Sequence, residues 1–302
     1  MPPTLLFPSD PRGLNAPDPT FAAEHEAARS VGFACLRFDL EALTRGDVAR
    51  ALRRVPDGSG AEVLHRGWMM PPERYRALHD ALRERAWAPL VSPWGYEQAH
   101  HLPRAYPLLA GLTAPTAWIE GRDLTLAREA ALSLGPGALL VKDHVKSAKH
   151  RWEEACFIPD ARDRERFERV VRAFLEERGE RFERGLVFRR ALPLRLLRRD
   201  PRGTPVHDEQ RMFFARGELL LPGYYPEVRD EPERFGPILE AARRFESPFL
   251  SVDVARLDDG GVRVVEVGDG GVSGLPPTLD EREFFAALFE ALDAPSGRAA
   301  RP

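Results

Sequence analysis

The stretch Phe249–Val267 has the pattern of a β-hairpin, with two valine-rich runs on either side of a short polar turn. The sequence DDGG, which begins at Asp258, is a strong turn signal between the runs. If its central Asp-Gly pair forms a two-residue turn, Asp253 faces Glu266 and the valines share the opposite face. The pattern therefore predicts β structure near the C-terminus, with two carboxylates side by side.

Two carboxylates that face each other across a sheet repel and cost up to ~1 kcal/mol unless a cation lies between them. Paired oxygen donors are suitable ligands for Mg²⁺. The pair alone leaves open whether both acids simply face solvent. The glycine-rich run after Glu266 favours a ligand, since glycines let the backbone approach closely, and it adds Asp269 as a third carboxylate. We predict Asp253, Glu266 and Asp269 as metal ligands.

A basic segment follows a buried strand in the middle of the chain. The apolar run 138–141 continues into Lys142, and the segment DHVKSAKHRW then begins at Asp143 and carries Lys146 and Lys149. Ligands of α/β folds bind at the carboxyl ends of strands, where lysines can hold phosphates as point charges. A solvated basic turn is the alternative. The segment lacks glycine and is therefore not a Walker loop.

Further charged residues lie in strands closer to the C-terminus. Arg189 follows the apolar run 186–188. Glu209 and Arg211 are two positions apart in a predicted strand and share one face. They could pair only with each other, or Arg211 could face the γ-phosphate of a nucleotide or an acyl-phosphate.

The first third of the chain alternates strand-like and helix-like segments. Phe33–Phe38, Glu62–Leu64 and Leu90–Val91 read as strands, and Pro72–Ala86 reads as a helix between two of them. This β–α–β rhythm predicts an α/β lobe with parallel strands. The rest of the chain mixes helices with hairpins, which is typical of α+β lobes.

Composition excludes several classes of protein. The chain has 302 residues, a formal net charge of −3 and only two cysteines, Cys35 and Cys156. The acidic balance argues against nucleic acid as a partner, and the cysteine spacing fits neither a zinc site nor a disulfide framework. The N-terminus does not read as a signal peptide, and no 18-residue apolar run exists. We expect a cytoplasmic protein with no membrane partner.

The order of these parts is similar to that of the ATP-grasp fold, in which two α+β lobes clasp ATP. More narrowly, the chain resembles a divergent clade of that superfamily, named for one arginine and two lysines, and a bacterial and phage family within it. The segments that carry the resemblance are RGWMM at Arg66, VKDHVKSAKHRW at Val141, EACFIPD at Glu154, GLVFRR at Gly185, EQRMFF at Glu209, and SVDVA and VVEVGDGGVSGLP from Ser251 onwards.

The resemblance implies an α/β (α+β) architecture of three lobes. These are an N-terminal α/β pre-ATP-grasp lobe over 1–112, an ATP-grasp N-lobe over 113–185 and a C-lobe over 186–293, followed by a flexible tail over 294–302. ATP and Mg²⁺ are the implied cofactors.

Roles for individual residues follow from the same resemblance. Lys142 and Lys149 match the two lysines, and Arg211 matches the arginine, with Arg189 as a rival. Gly268 stands where the superfamily usually has asparagine, so Asp269 is the expected substitute. The implied catalytic residues are Lys149 and Arg211; the implied ATP-binding residues are Lys142, Lys146, Val187, Phe188, Arg189 and Glu209, with the strand at Val187 and Phe188 holding adenine.

The implied activity is ligation of a carboxylate to an amine or similar nucleophile through an acyl-phosphate. The acceptor is an unidentified peptide, protein or small molecule. The alternative is an ATP-binding assembly factor without turnover, since a eukaryotic cell-division-cycle protein of the clade chaperones assembly of a translation initiation factor. A third option, a nucleic-acid ligase with a lysine–nucleotide adduct, fits the acidic net charge poorly.

Overall fold

The computed structural model describes residues 2–200, 205–221 and 231–293, except the side chain of Pro232. These residues form two compact units. The first is built from the described parts of Met1–Ala99, Arg211–Val252 and Gly268–Pro302, and the second from His100–Gln210 and Asp253–Val267. The three-lobe division predicted from the sequence cuts the chain at other positions and stays a prediction. The predicted tail, 294–302, lies outside the described residues.

The strands and helices are numbered in chain order. The strands are β1 (Thr4–Pro8), β2 (Cys35–Phe38), β3 (Glu62–His65), β4 (Ala88–Pro89), β5 (Thr116–Glu120), β6 (Leu139–Asp143), β7 (Phe157–Ile158), β8 (Gly185–Arg190), β9 (Leu196–Arg199), β10 (Pro205–His207), β11 (Glu209–Ala215), β12 (Glu218–Leu219), β13 (Phe249–Arg256) and β14 (Val262–Asp269). The helices are α1 (Ala22–Val31), α2 (Leu40–Thr44), α3 (Val48–Ala51), α4 (Pro72–Glu84), α5 (Pro93–His100), α6 (Leu102–Leu109), α7 (Leu124–Ser133), α8 (Trp152–Ala155), α9 (Arg164–Arg178), α10 (Pro232–Arg243) and α11 (Glu281–Asp293).

The first unit contains a parallel sheet in the order β2-β1-β3-β4. The β–α–β rhythm predicted from the sequence is confirmed. The prediction of a strand at Leu90–Val91 is wrong, because the fourth strand of this sheet, β4, is Ala88–Pro89. The side chain of Val91 is instead buried in the core of the first unit. Its carbonyl accepts a hydrogen bond of 2.9 Å from the hydroxyl of Tyr75.

Helices α1 and α11 pack together in the first unit. The ring of Phe33, just after α1, meets Phe289 edge-on with a centroid separation of 5.1 Å. The carboxylate of Asp280 accepts the N–H of Glu283 at 2.9 Å, so it satisfies a donor that the helix itself leaves open at the start of α11. The C-terminal helix is thus both capped and covered.

The second unit contains an antiparallel sheet in the order β5-β8-β6-β7. Helix α9 covers one face with an apolar stripe spaced at helical periodicity, in which Phe167, Val170, Val171 and Phe174 are all buried. Asp163 caps this helix by accepting the N–H of Arg166 at 3.0 Å.

The remaining strands form a sheet in the order β12-β11-β13-β14 and a two-stranded ribbon of β9 and β10. Strands β11 and β12 form a hairpin around Arg216 and Gly217, and both residues have positive φ, 50° and 84°. Such angles suit the tight turns that join neighbouring antiparallel strands.

The hairpin of β13 and β14 is confirmed, but the predicted two-residue turn is wrong. The N–H of Leu257 donates to the carbonyl of Gly261 at 2.8 Å, so three residues form the loop. Gly260 closes it in a left-handed conformation, with φ of 82°. Pairs counted outward from this loop alone place Asp253 opposite Val265. A shift in register further along restores the predicted offset at the open end, so the facing of Asp253 and Glu266 stays a prediction.

A shift in register lies further along the same hairpin. Near its open end, the N–H of Gly270 donates to the carbonyl of Phe249 at 3.0 Å. Between this bond and the Leu257–Gly261 bond, β14 contains one residue more than β13, as a β-bulge requires. Bulges are common beside functional sites because they re-aim side chains.

Within the described ranges, no helix combines the length and the apolar character needed to cross a lipid bilayer.

Candidate active site

One face of the second unit's sheet brings together three of the predicted site residues. Lys142 of β6 lies opposite Val187 of β8, which lies opposite Trp118 of β5. Side chains alternate along a strand, so Arg189 shares this face with Val187. The opposite face is packed under α7 and α9. A lysine and an arginine therefore share the face that lies away from α7 and α9.

Phe188 lies on the other face. Its side chain is buried in the core, where its ring centroid is 5.5 Å from that of Phe167. Strand β8 is central in its sheet, so its backbone is paired on both sides, with β5 and with β6. Of the two residues predicted to hold adenine, Val187 is therefore the better placed, and a nucleotide contact by Phe188 stays a prediction that this packing does not favour.

Arg189 links the sheet to the strand that carries Glu266. Its guanidinium donates to the carbonyl of Val265 at 2.8 Å and to the hydroxyl of Thr113 at 2.7 Å. The hydroxyl of Thr113 in turn donates to the carbonyl of Val264 at 2.7 Å. The Nε atom of Arg189 is buried and has no hydrogen-bond partner among the described residues. A buried N–H of a cation without an acceptor suits an anionic ligand.

Lys142 and Glu266 interact electrostatically. Burial lowers the pKa of Lys142 to about 8, although the negative charge of Glu266 raises it; the positive charge of Arg189 lowers it further. Burial also lowers the pKa of Arg189, against the opposing effect of Glu266. Glu266 is exposed, so its carboxylate is both close to two cations and accessible to a ligand.

The basic segment that follows Lys142 mixes exposed and buried residues. Lys146 and Lys149 are both solvent-accessible, and Lys149 belongs to the charges that act on Lys142. The first residue of the segment, Asp143, is fully buried and pairs with Arg178 at 2.7 Å, and Ala148 is buried in the core. The segment is thus anchored at two points, with both lysines exposed.

The other predicted acids lie in different surroundings. Asp253 is partly buried in β13, and Glu209 is exposed at the start of β11. Within the ranges that the structure describes, no three acidic, histidine or cysteine side chains converge on one point that could hold a metal ion. Asp253, Glu266 and Asp269 are therefore not gathered into one cluster. A pair of carboxylates still fits Mg²⁺, which commonly takes one or two from a protein and completes its shell with water and phosphates.

Asp269 is buried in the first unit. Its carboxylate accepts the N–H of Gly271 at 2.9 Å and the hydroxyl of Ser247 at 3.4 Å. Burial raises the pKa of Asp269 to about 7, against the effect of these hydrogen bonds and of Arg66. Both carboxylate oxygens already accept hydrogen bonds that shape the glycine-rich loop, so its role as a third metal ligand stays a prediction.

Arg211 also contacts the glycine-rich loop. Its guanidinium donates to the carbonyl of Gly274 at 3.0 Å. The predicted arginine is therefore fixed beside the loop that follows the acidic hairpin, within the same unit.

Arg66 is a structural residue whose role the sequence did not reveal. It is buried and forms a two-pronged ion pair with Glu24, with bonds of 2.6 and 2.8 Å. Its remaining nitrogen donates to the carbonyls of Gly270, Gly271 and Ser273 at 3.2, 3.3 and 2.7 Å. The signal that could have revealed this role is an arginine placed directly after a buried strand and before glycine.

Comparisons with known proteins identify the family and the fold of the chain. A family profile for an ATP-grasp domain matches residues 133–288, and it describes family 3 of the clade named for one arginine and two lysines. That range includes every predicted site residue. No curated protein sequence matches the chain significantly.

Solved structures share the fold over nearly the whole chain. The ATP-grasp ligase PsnB, complexed with minimal precursor, Mg and ADP, superposes with a TM-score of 0.56 at 15% identity and covers 95% of this chain and 98% of its own. The D-cycloserine synthetase DcsG gives 0.57 at 15%, covering 96% and 99%. A RimK domain ATP-grasp protein from Sphaerobacter thermophilus gives 0.58 at 12%, covering 96% and 99%.

At these identities the superpositions establish the ATP-grasp fold alone, with its mixed helices and sheets. The family profile covers more than half of the chain and contains the lysines, arginines and acids described above. The chain therefore belongs to family 3 of the ATP-grasp clade that is named for one arginine and two lysines.

Proposed function

We propose that the protein is a Mg²⁺-dependent ligase that uses ATP to join a carboxylate to an amine or a similar nucleophile. The observation that carries the proposal is the group formed by Lys142 and Arg189, on the face of the second unit's sheet away from α7 and α9, with Glu266 of β14 acting on both. Lys142 and Arg189 are the two cations, and Glu266 supplies an accessible carboxylate. The buried Nε–H of Arg189 has no acceptor among the described residues. Phosphates and a divalent ion are together the ligand that satisfies all three.

The cations position and neutralise the phosphates. Lys142 contributes a point charge, and Arg189 contributes an N–H donor whose direction is fixed by its bonds to Val265 and Thr113. The exposed Lys146 and Lys149 extend the positive surface, and Arg211 is assigned to the transferring phosphoryl group. Phosphoryl transfer depends mainly on such positioning and charge neutralisation.

The reaction has two steps. A carboxylate oxygen of the substrate attacks the γ-phosphorus of ATP, so the bond from that phosphorus to the β-bridging oxygen breaks and ADP leaves. The nucleophile nitrogen then attacks the carbonyl carbon, phosphate leaves, and the nitrogen loses a proton. Asp253 and Glu266 would hold Mg²⁺, which when bound offsets phosphate charge.

A peptide or protein is our preferred acceptor. Two of the structurally similar enzymes, PsnB and MdnC, are described as complexed with precursor peptides. Both cysteines of the chain are free, which agrees with the cytoplasmic setting that we assign to the enzyme.

Product analysis tests the proposal. The protein is incubated with ATP, Mg²⁺ and mixtures of carboxylates, amines and peptides, and ADP release is followed together with the mass of new products. We expect ADP and a product that has lost one water relative to its parts. Stoichiometric ATP binding without ADP release under all mixtures would favour an assembly factor instead.

A further inference from the structure

Asp143 is the last residue of β6 and the first of the basic segment, and it is fully buried. One of its carboxylate oxygens accepts the backbone N–H groups of Val145 and Lys146, at 2.8 and 2.6 Å. The other accepts the Nε–H of Arg178 at 2.7 Å and the N–H of Glu183 at 3.3 Å. Four donors thus converge on a single side chain.

These bonds bend the chain back at the end of the strand. The N–H of Asp143 donates to the carbonyl of Lys146 at 2.9 Å, and Ser147 then pairs with Lys142 in an antiparallel bridge. The turn therefore folds the basic segment back against the strand end, and the positive charge of Lys149 acts on Lys142. Like charges held close repel each other, and the repulsion favours opening of the turn.

The buried carboxylate counteracts that repulsion in two ways. Its negative charge lies beside the lysines and stabilises the charged form of Lys142. Its bonds to Arg178 and Glu183 tie the turn to α9 and to the start of β8. A buried carboxylate with these partners is strongly held in place, since the loss of any partner would leave a charge unsatisfied.

We propose that Asp143 is a positioning residue, which fixes the turn so that Lys142, Lys146 and Lys149 form one preorganised binding surface for the polyphosphate of the nucleotide. The inference rests on the proposed function of the same site. It assigns to Asp143 no contact with the ligand, only the shape of the surface that meets it. Preorganisation of this kind improves affinity by reducing the ordering that binding requires.

The test is calorimetric titration with tripolyphosphate, which contains the phosphates of ATP without its base. Asp143→Asn keeps one oxygen that can accept the backbone N–H groups of Val145 and Lys146. It removes the negative charge and places an NH₂ group, which cannot accept a hydrogen bond, opposite the Nε–H of Arg178. We expect tripolyphosphate to bind roughly tenfold more weakly to this variant than to the unaltered protein. Asp143→Ser replaces it if the asparagine variant does not fold, with the same expectation.

Asp123→Asn is the matched control. Asp123 accepts the N–H groups two and three residues ahead, at 2.8 and 2.9 Å, in the same local geometry as Asp143 but away from the lysines. We expect its tripolyphosphate affinity to be unchanged. Arg178→Gln removes the ion pair and leaves both turn amides bonded, so it should lower the melting temperature and weaken tripolyphosphate binding less than Asp143→Asn does.

Equal affinity in Asp143→Asn and the unaltered protein would overturn the inference. A tripolyphosphate affinity that falls in proportion to the melting temperature across all the variants would also overturn it. The same is true if the unaltered protein does not bind tripolyphosphate. Tripolyphosphate binding with the expected pattern but no ADP release from ATP would count against the ligase function and leave the role of Asp143 standing.

Discussion

Lys142 is a predicted site residue whose charge is sensitive to its surroundings. Burial lowers its pKa to about 8, so its charge is lost at a pH where an ordinary lysine keeps it. The sequence predicted a phosphate-binding role for Lys142 because it continues an apolar strand. It could not predict the partial desolvation, which depends on how Glu266 and Arg189 approach from distant parts of the chain.

The affinity for ATP should therefore depend on pH. The charged form of Lys142 prevails below pH 8, so we expect ATP binding to be strong there and to weaken as pH rises through about 8. Lys142→Arg keeps its charge across this range and should flatten the profile. Titration of ATP binding between about pH 6.5 and about pH 9.5 checks both expectations; a profile that is identical in the two proteins would contradict the assignment.

Glu266 should be essential for turnover and dispensable for folding. Glu266→Gln removes the accessible carboxylate beside Lys142 but keeps its volume, and Asp253→Asn does the same for the other predicted metal ligand. We expect both to lose Mg²⁺-dependent ATP turnover by at least ~100-fold, with melting temperatures close to that of the unaltered protein. Turnover that survives in both variants would exclude them as metal ligands.

The elements show where reading the sequence succeeds and where it fails. The hairpin of β13 and β14 was predictable, because its valines and its turn residues are local signals. The facing of Asp253 and Glu266 stays a prediction, because it depends on a three-residue loop and a bulge that periodicity does not reveal. Val187 and Phe188 must point to opposite faces because they are neighbours in one strand, but which of them meets α9 depends on long-range packing.

The loop of this hairpin gives a prediction with a built-in control. Gly260 has a positive φ of 82°, so Gly260→Ala should lower the free energy of unfolding by about 1 kcal/mol. Gly13 has no positive φ and has open space at the position of a Cβ, so Gly13→Ala should change it by much less. Urea unfolding of both variants checks the difference; equal destabilisation by both would mean that the effect is not conformational.

The ion pair of Arg66 joins β3, α1 and the glycine-rich loop. Arg66→Met removes five hydrogen bonds and leaves the carboxylate of Glu24 without its partner, so we expect a loss of about 3–5 kcal/mol in the free energy of unfolding. The double variant Arg66→Met/Glu24→Gln should recover part of this loss, since no buried charge remains unpaired. Chemical denaturation of the set measures the recovery, and a double variant weaker than the single one would contradict it.

At the scale of the whole molecule, the sequence predicted the ATP-grasp fold from the order of its parts. The family profile and the superposed ligases confirm that fold. The grouping of the chain was harder to foresee. Each unit is assembled from separate segments, and the boundaries pass through α5, β11, β13 and β14, where no change in composition marks them. Long-range packing decides such boundaries, and local sequence patterns do not encode it.

Binding of a non-hydrolysable ATP analogue tests the central claim most directly. Calorimetric titration is performed with Mg²⁺, with a chelator in place of Mg²⁺, and with Lys142→Met. The account predicts one bound nucleotide per chain, with affinity that falls at least about tenfold on chelation and at least about tenfold in the variant. No binding, or binding that is indifferent both to Mg²⁺ and to the loss of Lys142, would contradict it.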